Sequence, residues 1–208
     1  MYVIGVDLGT QSMKGFLVDA QGKFVAESSA AYDPVYPFPA WTEENPADWI
    51  HAFKKIVREL METSGVKPEE VGTIAMDAIN DTVVAIDKEG NPLMPAIIWC
   101  DRRAEAETAE VATRVDPQHV FEVTGLNLDS SHTAAKMLWI KKNRPDVFEK
   151  TAYMLNAASF MVYWMTGEAV VDYAQASASM LYNVANKCWD DEMAQVFDLD
   201  PNLLGVIK

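Results

Sequence analysis

Apolar and polar positions alternate in short runs over the first thirty residues, then recur at helical spacing over much of the remaining chain. Tyr2-Val3-Ile4-Gly5-Val6 is β-rich and ends at Asp7, and Lys14-Gly15-Phe16-Leu17-Val18 comes after a turn built on Leu8-Gly9-Thr10-Gln11-Ser12. Asp19-Ala20-Gln21-Gly22 makes a second turn before a third strand, Lys23 to Ala30. Pro34, Pro37 and Pro39 make the segment from Asp33 to Ala40 an irregular loop. Asn45-Pro46-Ala47-Asp48 then starts a helix: Asn45 caps free amides, Pro46 suits the first position and Asp48 favours the positive end. Trp49, Phe53, Ile56, Val57 and Leu60 give that helix one apolar face, and Gly65 and Pro68 end it. Strands are expected at Thr73 to Met76, Thr82 to Ile86 and Ala96 to Trp99, with Lys88-Glu89-Gly90-Asn91 as a hairpin turn. Helices are expected at Ala104 to Val115, Thr133 to Lys142, Ala157 to Met165 and Asp190 to Phe197. There is no internal repeat and no low-complexity linker, and the order of elements predicts an α/β domain with a mixed sheet.

Composition narrows the function classes. The 208 residues are half hydrophobic and 23% charged, the balance of a folded globule. A chain of this length buries roughly 70% of the surface of its unfolded form, so it needs no disulfide or metal staples. Seventeen Lys and Arg against thirty-one Asp and Glu leave a formal charge of −14, which argues against nucleic acid as a partner. Cys100 and Cys188 do not form a disulfide framework and are read as reduced and structural; His51, His119 and His132 suggest no zinc site. The uncharged stretch from Thr151 to Gly167 approaches membrane-spanning length, but Asn156, Ser159 and Thr166 interrupt it and make it a buried core helix. No signal-peptide pattern comes after Met1, so a soluble, cytoplasmic protein with no membrane partner is expected.

The richest local chemistry lies in Asp7-Leu8-Gly9-Thr10-Gln11-Ser12-Met13-Lys14. A hairpin tip with Gly9 lets a phosphate approach backbone amides, Thr10 and Ser12 add hydroxyl donors, and Lys14 adds positive charge. Asp7, at a strand end, has the chemistry to hold Mg2+ directly or through water. These are parts that phosphoryl transfer uses; a plain hairpin, in which Gly9 serves only the turn, explains the same residues. Trp49 and Trp139 are read as core residues, Trp41 as either core or a sugar-stacking ring, and His132 as a surface or packing residue.

Asp7-x-Gly-Thr-x-Ser-x-Lys14 resembles the first phosphate loop of the actin, hexokinase and Hsp70 superfamily. Later landmarks narrow the resemblance to the FGGY carbohydrate kinases. These are Trp41-Thr42-Glu43-Glu44-Asn45-Pro46, Trp99-Cys100-Asp101-Arg102-Arg103, Thr124-Gly125 and Lys136-Met137-Leu138-Trp139 followed by Pro145. Thr166-Gly167-Glu168 and Asp172-Tyr173-Ala174-Gln175-Ala176-Ser177 complete the series, which covers nearly the whole chain. The resemblance, nearest to xylulose kinases, implies a ribonuclease H-like α/β fold with a mixed sheet flanked by helices, and residues 1–208 as an N-terminal sugar-binding domain. It implies ATP and Mg2+ as cofactors, Asp7 near the metal, and Gly9, Thr10, Ser12 and Lys14 near the transferred phosphate.

Asn80-Asp81 falls where family members grip sugar hydroxyls, although it matches neither the xylulose-kinase nor the glycerol-kinase pair. Asp101 and Arg103 match a Trp-x-Asp-x-Arg motif close to the sugar cleft, where an internal brace and direct contact stand equal. Ser131 falls where glycerol kinases carry a tyrosine, which points away from glycerol and toward a ketopentose or related polyol. The general-base aspartate and the nucleotide domain are expected beyond Lys208, so the 208-residue chain alone is expected to be inactive. A stand-alone, non-catalytic sugar-binding or regulatory protein is the alternative, and the resemblance leaves room for a homodimer.

Overall fold

The strand Tyr2–Leu8 (β1) turns Ile4, Val6 and Leu8 to a buried face and leaves Asp7 exposed on the other, the two-residue period of a sheet covered on one side. A computed structural model describes residues 1–208. Its backbone divides into two compact units, Met1–Pro34 with Glu44–Ile79 and Val35–Glu43 with Asn80–Lys208.

In the first unit β1 pairs antiparallel with β2 (Ser12–Val18), which pairs antiparallel with β3 (Phe24–Ala31). The helix α1 (Pro46–Ser64) then leads to β4 (Val71–Ala78), which joins β1 in parallel and gives the mixed order β3-β2-β1-β4. The helix starts where its punctuation predicts: the Asn45 side chain accepts from the Ala47 amide at 3.2 Å. It stops at Gly65, whose left-handed backbone returns an amide to the Met61 carbonyl. Trp49, Ala52, Phe53, Ile56 and Leu60 are buried beneath it, each large side chain contributing roughly 1.5–3 kcal/mol. Gly15 sets how closely α1 approaches the sheet, because a Cβ there would lie 2.2 Å from Ile56 Cγ2.

The second unit is organised around the helix Thr133–Asn143, in which every residue from Thr133 to Ile140 is buried. A helix enclosed on all sides needs no amphipathic stripe. Met137, Leu138, Trp139 and Ile140 pack with Val83, Ala85, Ile97, Met154, Met180 and Phe197. The antiparallel pair Val84–Ile86 and Tyr153–Leu155 lies in the same core, and the turn from Asp87 to Asn91 is tied by the Asp87 carboxylate.

Several expected elements change length for local reasons. The helix expected to reach Val115 spans only Glu105–Val111, because Asp116 accepts from the Gln118 amide and Pro117 begins a second helix, Pro117–Thr124. The strand expected to reach Trp99 is Ala96–Ile97, since a turn closes from Ile98 to Asp101. The long uncharged stretch splits into the strand Tyr153–Leu155 and the helix Ala157–Thr166, with Asn156 capping the latter. No helix is long and apolar enough to cross a membrane.

Candidate functional site

The β1–β2 hairpin of the first unit carries the residues the sequence singles out. Register sets Asp7 beside Lys14 on β2 and beside Asp77 on β4, with Ser29 of β3 opposite Lys14. All four are exposed, and residues in register across neighbouring strands share a face. One polar row therefore crosses the uncovered side of the sheet, with Lys14 between Ser29 and Asp7. Ser12 and Thr10 lie half-buried at the hairpin end.

The tip is braced from behind. The Gly9 amide donates to the Ser12 carbonyl at 3.0 Å, and a Cβ on Gly9 would lie 3.1 Å from that oxygen. Gly9 thus serves closure of the hairpin, and its own amide is not free for a phosphate. The Tyr32 hydroxyl donates to the Gly9 carbonyl at 2.6 Å, and the Tyr32 amide to the Gln11 carbonyl at 3.1 Å. Burial, with Glu44 and Asp7 nearby, holds the Tyr32 phenol well above its usual range, so it remains a donor. Glu44 is itself buried, accepting from Trp49 Nε1 at 2.6 Å while its other oxygen has no partner; burial raises its pKa to about 7.

No group of three or more His, Cys, Asp or Glu side chains is placed to hold a metal ion. Asp7 with Asp77 in register nevertheless suits Mg2+, which keeps several waters and binds through one or two carboxylates plus phosphate oxygens.

In the second unit Asp81 is half-buried and the most constrained of the candidates. Its backbone is left-handed, with φ of 50°, a conformation that costs a non-glycine residue roughly 1–2 kcal/mol. Three anchors hold it there. Its amide donates to Asn80 Oδ1 at 2.9 Å, its carbonyl accepts from Lys136 Nζ at 2.5 Å, and its carboxylate meets His132 Nδ1 at 3.1 Å. Lys136 is fully buried and also donates to the Ile98 carbonyl at 2.9 Å. Burial lowers its pKa to about 8 against the pull of Asp81, Asp101 and Cys100. Sequence reasoning singled out Asn80 and Asp81 without their anchors, and it gave no site role to His132, Lys136 or Asp77.

Asp101 and Arg103 form the internal brace. Arg103 Nε and a terminal nitrogen reach the two Asp101 oxygens at 2.9 and 2.7 Å, its other nitrogen lies 2.9 Å from Glu43 Oε1, and both side chains of the pair are 0% exposed. The Arg103 guanidinium lies 3.8 Å from the Trp41 ring centroid and 4.9 Å from that of Trp139. Trp41 in turn packs edge-on against Trp139 and Phe38. Asp101 Oδ2 also accepts from the Thr42 amide at 2.5 Å. Direct sugar contact by Asp101 or Arg103 does not fit this burial, and Trp41 is covered by Arg103 on one face.

Ser131 is likewise engaged, donating its hydroxyl to Asp129 Oδ1 at 2.6 Å and its amide to the same oxygen at 2.8 Å. Against the upward push of burial, those bonds and the Arg102 fork bring the Asp129 pKa to about 2. Asp101 and Arg103 therefore shape the second unit from inside, while Asn80, Asp81, Ser131 and His132 reach its surface.

Residues 2–208 match the model of the FGGY family of carbohydrate kinases, N-terminal domain. A glycerol kinase of Thermococcus gammatolerans is 30% identical over 211 residues, covering 100% of this chain and 43% of that protein. A xylulose kinase of Lactococcus lactis is 28% identical over 203 residues, covering 98% of this chain and 40% of that protein. The solved xylulose kinase of Rhodospirillum rubrum superposes with a TM-score of 0.94 at 28% identity, over 100% of this chain and 43% of that one. The chain spans about two fifths of the length of the curated relatives it matches. Glycerol and xylulose kinases match about equally well, and the fold is the actin- and hexokinase-like one that the phosphate-loop motif implied. The chain belongs to the FGGY family of carbohydrate kinases and has the fold of that family's N-terminal domain.

Proposed function

We propose that residues 1–208 are the sugar-binding N-terminal domain of a longer ATP-dependent carbohydrate kinase. It transfers the γ-phosphoryl group of ATP to a hydroxyl of a ketopentose or related polyol. The observation that carries this reading is the exposed row Ser29, Lys14, Asp7 and Asp77 beside the hairpin tip, in a chain of this family. Phosphoryl transfer needs positioning and charge neutralisation more than covalent chemistry. When bound, ATP supplies the phosphoryl group and Mg2+ neutralises its charge.

The chain's own part divides between the units. Lys14 offers a positive charge, Ser12 and Thr10 offer hydroxyl donors, and Asp7 holds the hydrated cation; Tyr32 keeps the tip from shifting by gripping Gly9. Asp81 accepts hydrogen bonds from substrate hydroxyls, with its backbone fixed before the substrate arrives. On this reading the general base and the nucleotide-binding parts belong to the rest of the longer kinase, and the 208 residues alone bind sugar without turning over ATP.

The test is a coupled ADP-release assay of the full-length protein across ketopentoses, glycerol and related polyols, with and without Asp7→Ala. Turnover of a polyol that Asp7→Ala abolishes is the expected result. Wild-type rates in Asp7→Ala would remove the metal role, and sugar binding without any turnover would favour a non-catalytic sugar-binding protein.

A further inference from the structure

His132 occupies the N-cap of its helix, a position that favours Ser, Thr, Asp or Asn, yet its side chain makes no capping bond. The ring instead reaches Asp81, from which it is separated by 51 positions in sequence, and the two side chains remain 17% and 18% exposed. They are a polar pair at the surface of the second unit, joined to each other and backed by the buried Lys136. A non-glycine residue held in left-handed backbone by three separate bonds is the kind of strain that an over-determined ligand site keeps.

We propose that His132 is a second hydroxyl-reading group beside Asp81, and that the pair selects neutral polyols and rejects sugar acids. This rests on reading Asp81 as a substrate contact. A carboxylate only accepts hydrogen bonds, so His132 Nδ1 donates to it. That leaves Nε2 on the other side of the ring, beside the remaining capacity of the Asp81 carboxylate. The pair thus offers two hydrogen-bonding groups, the Asp81 carboxylate and His132 Nε2, to two substrate hydroxyls. A sugar acid would bring a second carboxylate, of like charge, up against that of Asp81.

The experiment measures kcat and KM of the full-length protein on xylulose, ribulose, glycerol and gluconate, with calorimetric binding of the same compounds in the absence of nucleotide. The wild type is expected to prefer its best neutral polyol over gluconate by 100-fold or more in kcat/KM. His132→Phe should raise the polyol KM tenfold or more with kcat within threefold, and lower the unfolding midpoint only slightly for the lost Asp81 bond. His132→Gln, which keeps an N–H for Asp81 and an acceptor, should recover most of that loss. Asp81→Asn should narrow the preference over gluconate at least tenfold.

A polyol KM within twofold of wild type in both His132 variants would overturn the inference while leaving the kinase reading intact, as would a wild-type preference for gluconate. No binding and no turnover of any of the four compounds would instead take down the kinase reading on which it rests.

Discussion

Glu44 offers a quantitative test of the first unit's interior. The residue is 2% exposed, with one carboxylate oxygen on Trp49 Nε1 at 2.6 Å and the other unpaired. Burial is the largest cause of its rise from the usual 4.5 to about 7, with Asp48 adding to it and the Trp49 bond opposing it. The folded protein therefore holds this proton where the unfolded chain has lost it. The resulting stability is fully present below pH 4.5 and is lost as pH rises through 7. At about 1.4 kcal/mol per pH unit, the loss reaches up to about 3 kcal/mol by pH 8.

Glu44→Gln fixes the neutral form. An amide nitrogen placed where the orphaned oxygen sits costs about 1–3 kcal/mol for want of an acceptor, but that cost is the same at every pH. The variant-minus-wild-type difference should thus rise by up to about 3 kcal/mol between pH 4.5 and 8, whatever its absolute level. Urea unfolding followed by tryptophan fluorescence at four pH values in this range measures it. A difference flat to within about 0.5 kcal/mol would refute the argument, because it would mean that Glu44 ionises alike in folded and unfolded protein.

Two further substitutions test packing. Gly15→Ala should destabilise by about 1–3 kcal/mol, because its Cβ meets Ile56 Cγ2, which is too near the backbone to swing aside. Adding Gly15→Ala to an Ile56→Ala background should cost less than it does alone, and equal costs in the two backgrounds would mean the contact is not the cause. Arg103→Lys keeps a charge but loses the fork on Asp101 and the stacking on Trp41 and Trp139, and should cost about 3 kcal/mol. An unchanged urea midpoint would show that the brace does not hold the Trp41 segment.

The parts legible in the sequence are those whose cause is local. The helix Pro46–Ser64 announces itself through Asn45, Pro46 and Gly65, each acting within one turn of the end it marks. The hairpin is equally local, since Asp7 and Lys14 face each other because only a tight turn separates them. The second unit's surface pair is different. His132 lies 51 positions from Asp81 and Lys136 lies 55 positions from it, so no spacing rule connects them, and His132 reads as a packing residue until the helix brings it round. Lys136 is hidden by its own type, since a lysine in an apolar run suggests an exposed edge and not a fully buried donor to two carbonyls. The motif around Asp101 and Arg103 is visible, but only the turn from Ile98 to Asp101 shows that the two side chains close on each other.

Two costs in the second unit meet at one atom, the Asp81 carbonyl, and their coincidence separates a functional from a structural Asp81. The residue sits in left-handed backbone at roughly 1–2 kcal/mol, and its carbonyl is held by a buried lysine whose pKa has fallen to about 8. On stability alone, glycine and aspartate come out nearly even at position 81. Asp81→Gly relieves the strain, adds about 0.5–1 kcal/mol of backbone entropy cost, and forfeits the His132 bond, worth about 1 kcal/mol. These terms nearly cancel, so the variant should unfold within about 1 kcal/mol of wild type in urea while its polyol KM rises tenfold or more. A destabilisation above about 2 kcal/mol with an unchanged KM would make Asp81 a structural residue and its strain a demand of the fold. An unchanged stability with a lost substrate would mean that the chain tolerates a strained carboxylate here because the carboxylate is needed.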